Sequence, residues 1–416
     1  MLVVGEVVTD VVARHRDPLA PATDTAARIE LLPGGAGANV ACWAVTAAGG
    51  PHPGPGGAHA DGSGRDASGT DARRADASRT DTSRASASGP PAGDPDGGDW
   101  DAADPDAGDP DASGPPAAGA SAAAGPYRLT RGADTAPPAP SGASGAGPLT
   151  VRLLAKAGAD TARWHRAALR RAGVEPVLRV DPDLPTAVVI ALVDAAAERT
   201  LVTDSGAALR LGPRDWDAAL LDGVGHVHVS GYLLFSAPGR ALAAVVGEAA
   251  RARGVPVSVD PASAGFLRAS GVARFLEAVA GVDLLLPNAA EAAALCGRPE
   301  TTDAATDQDG AADDAAELSA RLPGTTVVVT LGAMGALAAR GGRVVARVPG
   351  LPVTPVDTTG AGDAFTGALL AARLTGAPLP AALAAACATA ATAVTVVGGR
   401  PAAARLGLDD GVTAPA

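Results

Sequence analysis

The sequence predicts an α/β fold of three layers, in which a mostly parallel central sheet carries helices on both faces and a small β-sheet forms a lid. Strand, turn and helix alternate along the second half of the chain, as in HVHVSGYLLF, VPVSVDPAS and VDLLLPN, each of which precedes helical sequence. This alternation is typical of parallel strands joined by crossover helices. Two stretches break the rhythm, the early strands within 8–33 and a hairpin within 176–203, and we assign both to the lid.

The first predicted element is a β-branched strand over residues 2–12, LVVGEVVTDVV, which passes Gly5 and reaches Asp10. A strand of this kind delivers a side chain to the C-terminal edge of an α/β sheet, where ligands bind. Asp10 is therefore a candidate ligand-binding carboxylate, although a turn residue fits the same pattern.

A glycine-rich turn follows within residues 28–48, RIELLPGGAGANVACWAVTAA. The pattern predicts a short strand, a turn and an alanine-rich helix. Gly35 leaves room for a ligand against the backbone, and Asn39 offers both a donor and an acceptor, which sugar hydroxyl groups need. Asn39 is equally a candidate for the N-cap of the helix.

The composition changes abruptly between residues 49 and 149, where Gly, Ala, Pro, Ser, Asp and Arg predominate and 14 Asp stand against 7 Arg. Such a segment cannot bury enough apolar surface to offset its chain entropy. We predict a disordered acidic insertion in a surface loop, which divides one folded domain into residues 1–48 and 150–416.

The overall composition excludes several classes of protein. The chain has 33 Lys and Arg against 45 Asp and Glu, and its formal charge of −12 argues against a surface for nucleic acid or for a membrane. Three cysteines are too few and too scattered for a disulfide framework or a zinc site. The sequence has no signal-peptide pattern and no apolar run of membrane-spanning length, so we expect a cytoplasmic protein.

Two pairs of residues in the second half are candidates for binding a metal ion and a nucleotide. Asn288 and Glu291 stand three residues apart at a predicted helix start, so they share one face and can hold a hydrated Mg²⁺. The same pair also fits a solvated helix face with Asn288 as N-cap. Thr330 and Gly332 end a β-branched run, at a strand-edge turn where a nucleotide can rest.

The most informative stretch is DTTGAGDAF, residues 357–365. Gly360 and Gly362 allow backbone N–H groups to converge, and the helical sequence that follows makes this point a helix N-terminus, which favours an anion. Asp363 would repel that anion unless it had a task of its own, such as accepting a proton from a hydroxyl that attacks a phosphate. The alternative is that Asp363 only caps the helix.

Four motifs, in this order, resemble those of the ribokinase-like (PfkB-type) carbohydrate kinases: GGAGANVA (34–41), PNAAEAAAL (287–295), TLGAMGA (330–336) and DTTGAGDAF (357–365). The resemblance covers the chain outside about 49–149, and the last motif is the most specific. It implies a large α/β domain with a mostly parallel central sheet and a small β-sheet lid, in agreement with the prediction from the strand pattern.

The resemblance also implies roles for the residues on the acceptor side. Asp363 corresponds to the catalytic base. The backbone that corresponds to an anion hole for the γ-phosphate is that of Gly360, Ala361 and Gly362. The residues that correspond to contacts with sugar hydroxyl groups are Asp10, Gly35 and Asn39.

Further roles concern ATP, Mg²⁺ and K⁺, the cofactors that the resemblance implies. Asn288 and Glu291 correspond to a pair that acts on Mg²⁺ through water, and Thr330 and Gly332 correspond to nucleotide contacts. Many members also bind a monovalent cation near the anion hole, and the corresponding ligands are Asp357, Thr359, Val394, Val397 and Gly399.

The expected activity is ATP-dependent transfer of the γ-phosphate to a hydroxymethyl group of a small sugar. Ala36 occupies a position where ribokinases and phosphofructokinases commonly have lysine, which favours an unphosphorylated ketose or a sugar acid, with ribose or a nucleoside next. A sugar phosphate would need converging cations, for which Arg14, His15 and Arg16 are the candidates.

Two expectations stay open in the sequence. A hypothesis from another class is a non-catalytic sensor of sugar or nucleotide, against which the intact Asp363 counts, because a sensor needs no base. Lid strands in such proteins can pair between subunits, so the resemblance also allows a homodimer.

Overall fold

The computed structural model describes residues 1–19, 21–49, 149–194, 199–299 and 307–401, all within one unit of the chain. The predicted acidic insertion, 49–149, therefore lies outside the described residues apart from its two end positions, and so does the tip of the predicted hairpin at 195–198. No helix in these described ranges is long and apolar enough to cross a membrane.

The described strands and helices alternate over most of the chain. In chain order the strands are β1 (Leu2–Val4), β2 (Val8–His15), β3 (Ala27–Gly34), β4 (Val151–Gly158), β5 (Val174–Asp181), β6 (Ala187–Val193), β7 (Arg199–Asp204), β8 (Val227–Ser230), β9 (Val257–Asp260), β10 (Leu284–Leu285), β11 (Thr326–Thr330), β12 (Ala336–Arg340) and β13 (Arg343–Val348). The helices are α1 (Ala36–Ala47), α2 (Ala162–Arg171), α3 (Ala237–Ala252), α4 (Ala264–Ser270), α5 (Val272–Ala278), α6 (Ala289–Leu295), α7 (Gln308–Arg321), α8 (Ala361–Leu374) and α9 (Leu379–Ala393).

The large sheet runs in the order β13-β12-β11-β10-β9-β8-β1-β4-β5 among the described residues. Every pairing from β11 to β5 is parallel, and β12 and β13 add antiparallel strands at one edge. The predicted mostly parallel sheet is confirmed.

Helices cover both faces of this sheet because successive side chains of a buried strand point to opposite sides. Leu2 and Val4 of β1 belong to one apolar cluster, together with residues of α3 to α7, whereas Val3 belongs to a second cluster with residues of α1, α2 and α8. In β11, Val328 packs against α8 and α9, on the side opposite to Val327. The three predicted layers follow from this alternation.

The small sheet, which we call the lid sheet, has the order β3-β2-β6-β7 in the described part of the chain. Strands β2 and β3 are antiparallel, β2 and β6 are parallel, and β6 and β7 form the antiparallel hairpin that the sequence predicts. The predicted second, small sheet is therefore present.

Two boundaries differ from the prediction. The single strand predicted for residues 2–12 is two strands, since the chain leaves the large sheet after β1 and enters the lid sheet at β2. Both strands are β-branched, so the sequence pattern hides the break. The lid range 176–203 includes most of β5, which instead pairs with β4 at the edge of the large sheet. An edge strand is half-exposed, and its sequence resembles that of a lid strand for this reason.

Candidate active site

A cavity of about 390 Å³ is lined by the lid sheet, by the carboxyl ends of large-sheet strands and by the first turns of α1 and α8. Ligands bind at this edge of open α/β sheets. The predicted site residues that line the cavity are Asp10, Gly35, Asn39, Asn288, Glu291, Thr330, Thr359, Gly360, Gly362 and Asp363. The cavity thus brings together residues that are more than 300 positions apart in the sequence.

Asp363 lies in the first turn of α8 and does not cap it. The N-cap position is Gly360, in the left-handed conformation with φ of 73°, and no side chain caps this helix. The carboxylate of Asp363 instead accepts a hydrogen bond of 2.8 Å at Oδ2 from Nδ2 of Asn39. The N-cap interpretation of Asp363 is therefore wrong, and its side chain is available to the cavity.

The start of α8 exposes backbone donors. Within the described residues, the N–H groups of Gly362 and Asp363 have no hydrogen-bond acceptor, as the geometry of a first helical turn requires. The N–H of Ala361 donates a long hydrogen bond of 3.3 Å to the Thr358 carbonyl. A Cβ added to Gly362 would meet no atom within 4 Å, so the space beside these donors is open. This arrangement suits an anion.

Asn39 is held from its other side by a buried arginine. Asn39 lies in the first turns of α1, whose N-cap position is Gly35, so Asn39 is not the N-cap. Oδ1 of Asn39 accepts a hydrogen bond of 3.1 Å from Nε of Arg400. The same guanidinium also donates a hydrogen bond to the Gly34 carbonyl. Because a guanidinium only donates, it fixes the Asn39 amide with its NH₂ toward Asp363. Arg400 was not among the predicted site residues, because its only signal in the sequence is its place after the Gly-Gly pair in VVGGRPA.

Among the described residues, six acidic side chains line the cavity: Glu6, Asp10, Asp204, Asp260, Glu291 and Asp363. Burial raises the pKa of Asp363 to about 8; the Asn39 hydrogen bond opposes this rise, and the nearby carboxylates of Asp260, Glu6 and Asp10 add to it. Burial likewise raises the pKa of Asp10 to about 7, against the charge of Arg400. In its ionised form, a carboxylate whose pKa is raised is a stronger proton acceptor than an ordinary aspartate.

Asp10 lies within β2 of the lid sheet, not in a turn and not at the edge of the large sheet. Its carboxylate lies directly against Gly34, where an added Cβ would overlap Oδ2 of Asp10. Gly35 beside it has φ of 102°, and a Cβ there would lie 2.6 Å from the Glu6 carbonyl oxygen. The two glycines therefore let the chain enter α1 in close contact with β2.

Asp260, at the end of β9, ends a chain of buried polar groups that the sequence analysis missed. His228 Nε2 lies 3.0 Å from Asp260 Oδ2, and Ser258 Oγ lies 2.9 Å from His228 Nδ1 and 2.8 Å from His226 Nε2. Burial lowers the pKa of His226 to about 3, so that ring is neutral. The distances fit successive donation from His226 to Ser258, His228 and Asp260. A carboxylate after a buried strand, in VSVD, was the available signal.

Asn288 and Glu291 form a capping box at the start of α6. Asn288 Oδ1 accepts from the Glu291 N–H at 2.9 Å, and Glu291 Oε2 accepts from the Asn288 N–H at 2.8 Å. The N-cap interpretation of Asn288 is thus correct, although both residues also line the cavity. Burial raises the pKa of Glu291 to about 7.

The predicted nucleotide contacts lie at the end of β11. Thr330 pairs with Asn288 in a parallel bridge and lines the cavity. Gly332 lies in the turn after β11, with φ of 57°.

The predicted monovalent-cation ligands are near one another but bonded to protein donors. Asp357 accepts from the N–H and hydroxyl groups of Thr359 and from the Gly398 N–H. The Val394 carbonyl accepts two N–H groups, those of Val356 and Asp357. The Gly399 carbonyl accepts from Trp43 Nε1 at 2.9 Å. The described contacts include none for the Val397 carbonyl, and these bonds give no support to a K⁺ site.

The cations proposed for a phosphorylated substrate do not converge on the cavity. Arg14 lies 4.0 Å from the carboxylate of Asp357, and His15 is buried with Nδ1 at 2.8 Å from the Asp17 carbonyl. Arg16 is exposed. None of the three residues lines the cavity.

We call two parts of the lining the polar wall and the apolar wall. The polar wall consists of Asn39, Gly360, Gly362 and Asp363. The apolar wall consists of Leu201, Leu209, Tyr232 and Phe266. Residues of the apolar wall come from β7, from the short turns after β7 and β8, and from α4.

Residues 142–404 match the model of the pfkB family of carbohydrate kinases, which is more than half of the chain. The chain belongs to the pfkB family of carbohydrate kinases. It is therefore a phosphotransferase of the carbohydrate and nucleoside kinase type.

Curated relatives match this pfkB-family chain over short segments. The chain is 46% identical over 84 residues to 2-dehydro-3-deoxygalactonokinase of Haloferax volcanii, and 35% identical over 133 residues to the bifunctional protein HldE of Caulobacter vibrioides. These segments cover 20% and 32% of this chain. The chain matches about a quarter of the length of each relative, 26% and 24%.

Solved structures share the fold at low sequence identity. Ribokinase of Thermotoga maritima superposes with a TM-score of 0.60 at 18% identity and covers 98% of this chain and 96% of its own. An E. coli protein assigned as ribokinase II, solved in complex with ATP and Mg²⁺, superposes with a TM-score of 0.56 at 19% identity, over 96% of this chain and 93% of its own. The pfkB-family fold predicted from the sequence is thus confirmed.

Proposed function

We propose that this pfkB-family chain transfers the γ-phosphate of ATP to a hydroxymethyl group of a small sugar, with Asp363 as the base. The observation that carries the proposal is the pair of groups at the start of α8. The carboxylate of Asp363 is oriented by Asn39 and does not cap the helix, and the open N–H groups of Gly362 and Asp363 lie in the same turn. A proton acceptor and an anion site in one turn are what phosphoryl transfer requires.

Each group at the site has one role in an in-line displacement at the γ-phosphorus. The acceptor oxygen forms a bond to the γ-phosphorus, the bond from that phosphorus to the oxygen bridging to the β-phosphate breaks, and the acceptor proton passes to Asp363. The N–H groups at the start of α8 stabilise the charge on the transferring group. Asp10 and the Asn39 amide, which line the cavity next to this turn, hold hydroxyl groups of the acceptor.

The donor set near α6 fits a divalent cation. Glu291 is a buried carboxylate with a raised pKa among five other acidic residues of the cavity, and such a group gains from a nearby cation. Asn288 and Glu291 would hold a hydrated Mg²⁺, which would neutralise phosphate charge when ATP binds. Support for ATP and Mg²⁺ also comes from the related E. coli protein, which was solved with both. Thr330 and Gly332 are proposed contacts of the nucleotide, and K⁺ is not part of the proposal.

The experiment that tests this function is an assay of ADP release with Mg²⁺ and ATP over a panel of acceptors, with and without K⁺. The panel contains ribose, fructose, a sugar acid, ribose 5-phosphate and nucleosides. Release of ADP that depends on at least one acceptor is the expected result. Uniform background rates, together with thermal shifts on addition of a ligand, would instead support a sensor without turnover.

A further inference from the structure

Four of the ten Phe, Tyr and Trp residues of this chain form one cluster beside the cavity. The chain has 4 Phe and 2 Tyr in all, and one cluster contains three of the phenylalanines and one tyrosine. The cluster consists of Tyr232, Phe235, Phe266 and Phe275. The apolar core is built mainly from Val, Leu and Ala, with Trp43, Trp164 and Phe365 as further buried aromatic residues, so four rings in contact at one place need a reason of their own.

The rings support one another from the core outward. Phe275 is buried and stacks with Phe235 at a centroid distance of 6.4 Å. Phe235 stacks with Phe266 at 5.3 Å and an angle of 22°, and Tyr232 meets Phe266 edge to face at 5.9 Å. The inner rings therefore hold Phe266 and Tyr232 in place at the cavity, which reduces the entropy lost when a ligand packs on them.

The outer members of the cluster are exposed although they are large and apolar. Phe266 is 41% exposed and Tyr232 is 38% exposed, and Leu201 and Leu209 of the same apolar wall are 61% and 48% exposed. Scattered apolar residues on a surface need no explanation, but four that line one cavity indicate a ligand with an apolar surface. A free sugar is small and carries hydroxyl groups around its ring, so it would cover less of this wall than a larger ligand with a planar apolar ring.

The charges of the cavity restrict the ligand further. Six acidic residues line it, and none of its described lining residues is Lys, Arg or His. Burial raises the pKa of Tyr232 well above its usual value, and the carboxylates of Glu6, Asp260, Asp363 and Glu291 add to the rise. The Tyr232 hydroxyl therefore stays protonated and can donate a hydrogen bond to a ligand. Because none of these described lining residues is a cation that could pair with a phosphate or carboxylate group of the acceptor, the lining favours an acceptor without such a group.

We infer that the acceptor is a nucleoside, whose sugar lies at the polar wall and whose base packs against Phe266 and Tyr232. A nucleobase is planar and has apolar faces, and stacking on an aromatic ring is favourable for every base. The sugar hydroxyl groups meet Asp10 and Asn39, and the 5′-hydroxyl is presented to Asp363. This inference rests on the proposed function and adds the acceptor class.

The reaction balances as a simple transfer. The 5′-oxygen of the nucleoside bonds to the γ-phosphorus of ATP, the bond to the β-γ bridging oxygen breaks, and the 5′-hydroxyl proton passes to Asp363. The products are a nucleoside 5′-monophosphate and ADP.

The test compares nucleosides with free sugars in the wild-type protein and in Phe266→Ala. Adenosine, guanosine, cytidine and uridine are assayed beside ribose and fructose by ADP release. We expect at least one nucleoside to exceed both free sugars in kcat/KM by about tenfold or more. In Phe266→Ala the ratio of kcat/KM for that nucleoside to kcat/KM for ribose falls by about tenfold, while the KM for ATP stays within about twofold.

Matched variants separate stacking from stability. Phe266→Leu keeps apolar volume without an aromatic face, and it replaces the alanine variant if that variant does not fold. Val245 on α3 is similarly exposed, at 37%, and does not line the cavity, so Val245→Ala should leave the nucleoside-to-ribose ratio unchanged.

Other outcomes overturn the inference in different ways. A wild-type protein that prefers ribose or fructose to every nucleoside contradicts the inference and leaves the proposed function intact. A rise of about tenfold in the KM for ATP of Phe266→Ala, at a constant acceptor ratio, would show that the ring contacts the base of ATP. If no acceptor releases ADP, the proposed function fails. In that case calorimetric titration with adenosine and uridine tests whether the apolar wall binds a nucleoside. If the wild-type protein binds neither, the nucleoside subsite is contradicted. If the wild-type protein binds one of them and Phe266→Ala does not, the subsite is supported.

Discussion

The polar wall and the apolar wall of the cavity are built in opposite ways. Around the polar wall the backbone leaves no room: a Cβ on Gly35 or Gly360 would lie 2.6 Å from backbone atoms of Glu6 or Gly399. On the apolar wall, Leu201 and Phe266 are largely exposed. The proposed chemistry therefore depends on close backbone packing at Gly35 and Gly360, whereas the choice of acceptor depends on side chains that are partly exposed at the cavity.

The largest expected effect concerns the arginine behind the polar wall. In Arg400→Leu, Asn39 Oδ1 and the Gly34 carbonyl lose their buried donor. Each unsatisfied acceptor costs between about 1 and 3 kcal/mol, so we expect a loss of about 3 kcal/mol in the free energy of unfolding, measured with denaturant. The kcat should also fall about tenfold, because Asn39 no longer orients Asp363.

A surface arginine provides the control. Arg343 on β13 is exposed, and Arg343→Ala should change the free energy of unfolding by less than about 0.5 kcal/mol. An Arg400→Leu protein as stable as this control would show that the buried guanidinium does not support the polar wall.

Two glycines of α8 give a sharper contrast within the polar wall. Gly360 has φ of 73° and contacts Gly399, so Gly360→Ala should cost about 2 kcal/mol of stability. A Cβ on Gly362 meets nothing within 4 Å, so Gly362→Ala should be as stable as the wild-type protein or slightly more so. Its methyl group would nevertheless lie beside the open N–H groups, and kcat should fall about 10²-fold. Full activity of Gly362→Ala would mean that the transferring group does not pass there.

A separate effect is the pH dependence of stability that Asp363 causes. Its pKa is about 8 in the folded protein, against an ordinary value of 3.8 for an aspartate. Between these values the folded state binds more protons at this group than the unfolded chain, so the group lowers stability as pH rises through that window. The stability of Asp363→Asn relative to wild type should therefore increase by about 1.4 kcal/mol for each pH unit between about pH 5 and about pH 8. Thermal unfolding of both proteins across this range measures it, and a constant difference would contradict the raised pKa.

The smallest effect on stability is expected at the apolar wall. Leu201 is 61% exposed, and Leu201→Ala should change the free energy of unfolding by less than about 0.5 kcal/mol. The KM for the acceptor should rise about threefold, because apolar contact is lost. Val202, on the opposite face of β7 and 55% exposed, does not line the cavity, so Val202→Ala should leave KM unchanged. Equal KM values for both variants would remove the apolar wall from acceptor binding.

The sequence predicted the elements that depend on neighbouring residues, but it did not predict contacts between residues that are far apart in the chain. The strand and helix alternation gave the layers, and DTTGAGDAF gave the first turn of α8, because both are patterns over a few residues. The contact of Asn39 with Asp363 spans 324 positions, and that of Arg400 with Asn39 spans 361, so neither leaves a periodic signal. The break between β1 and β2 was missed because β-branched residues continue on both sides of it.

The most direct test of the central claim is the activity of Asp363→Asn, with ATP binding measured on the same sample. Loss of a positioned base predicts a fall in kcat of about 10³-fold, while the affinity for ATP stays within about threefold of wild type. An asparagine variant that releases ADP with a kcat within about tenfold of the wild-type value, and that binds ATP normally, would contradict the claim that Asp363 takes the proton.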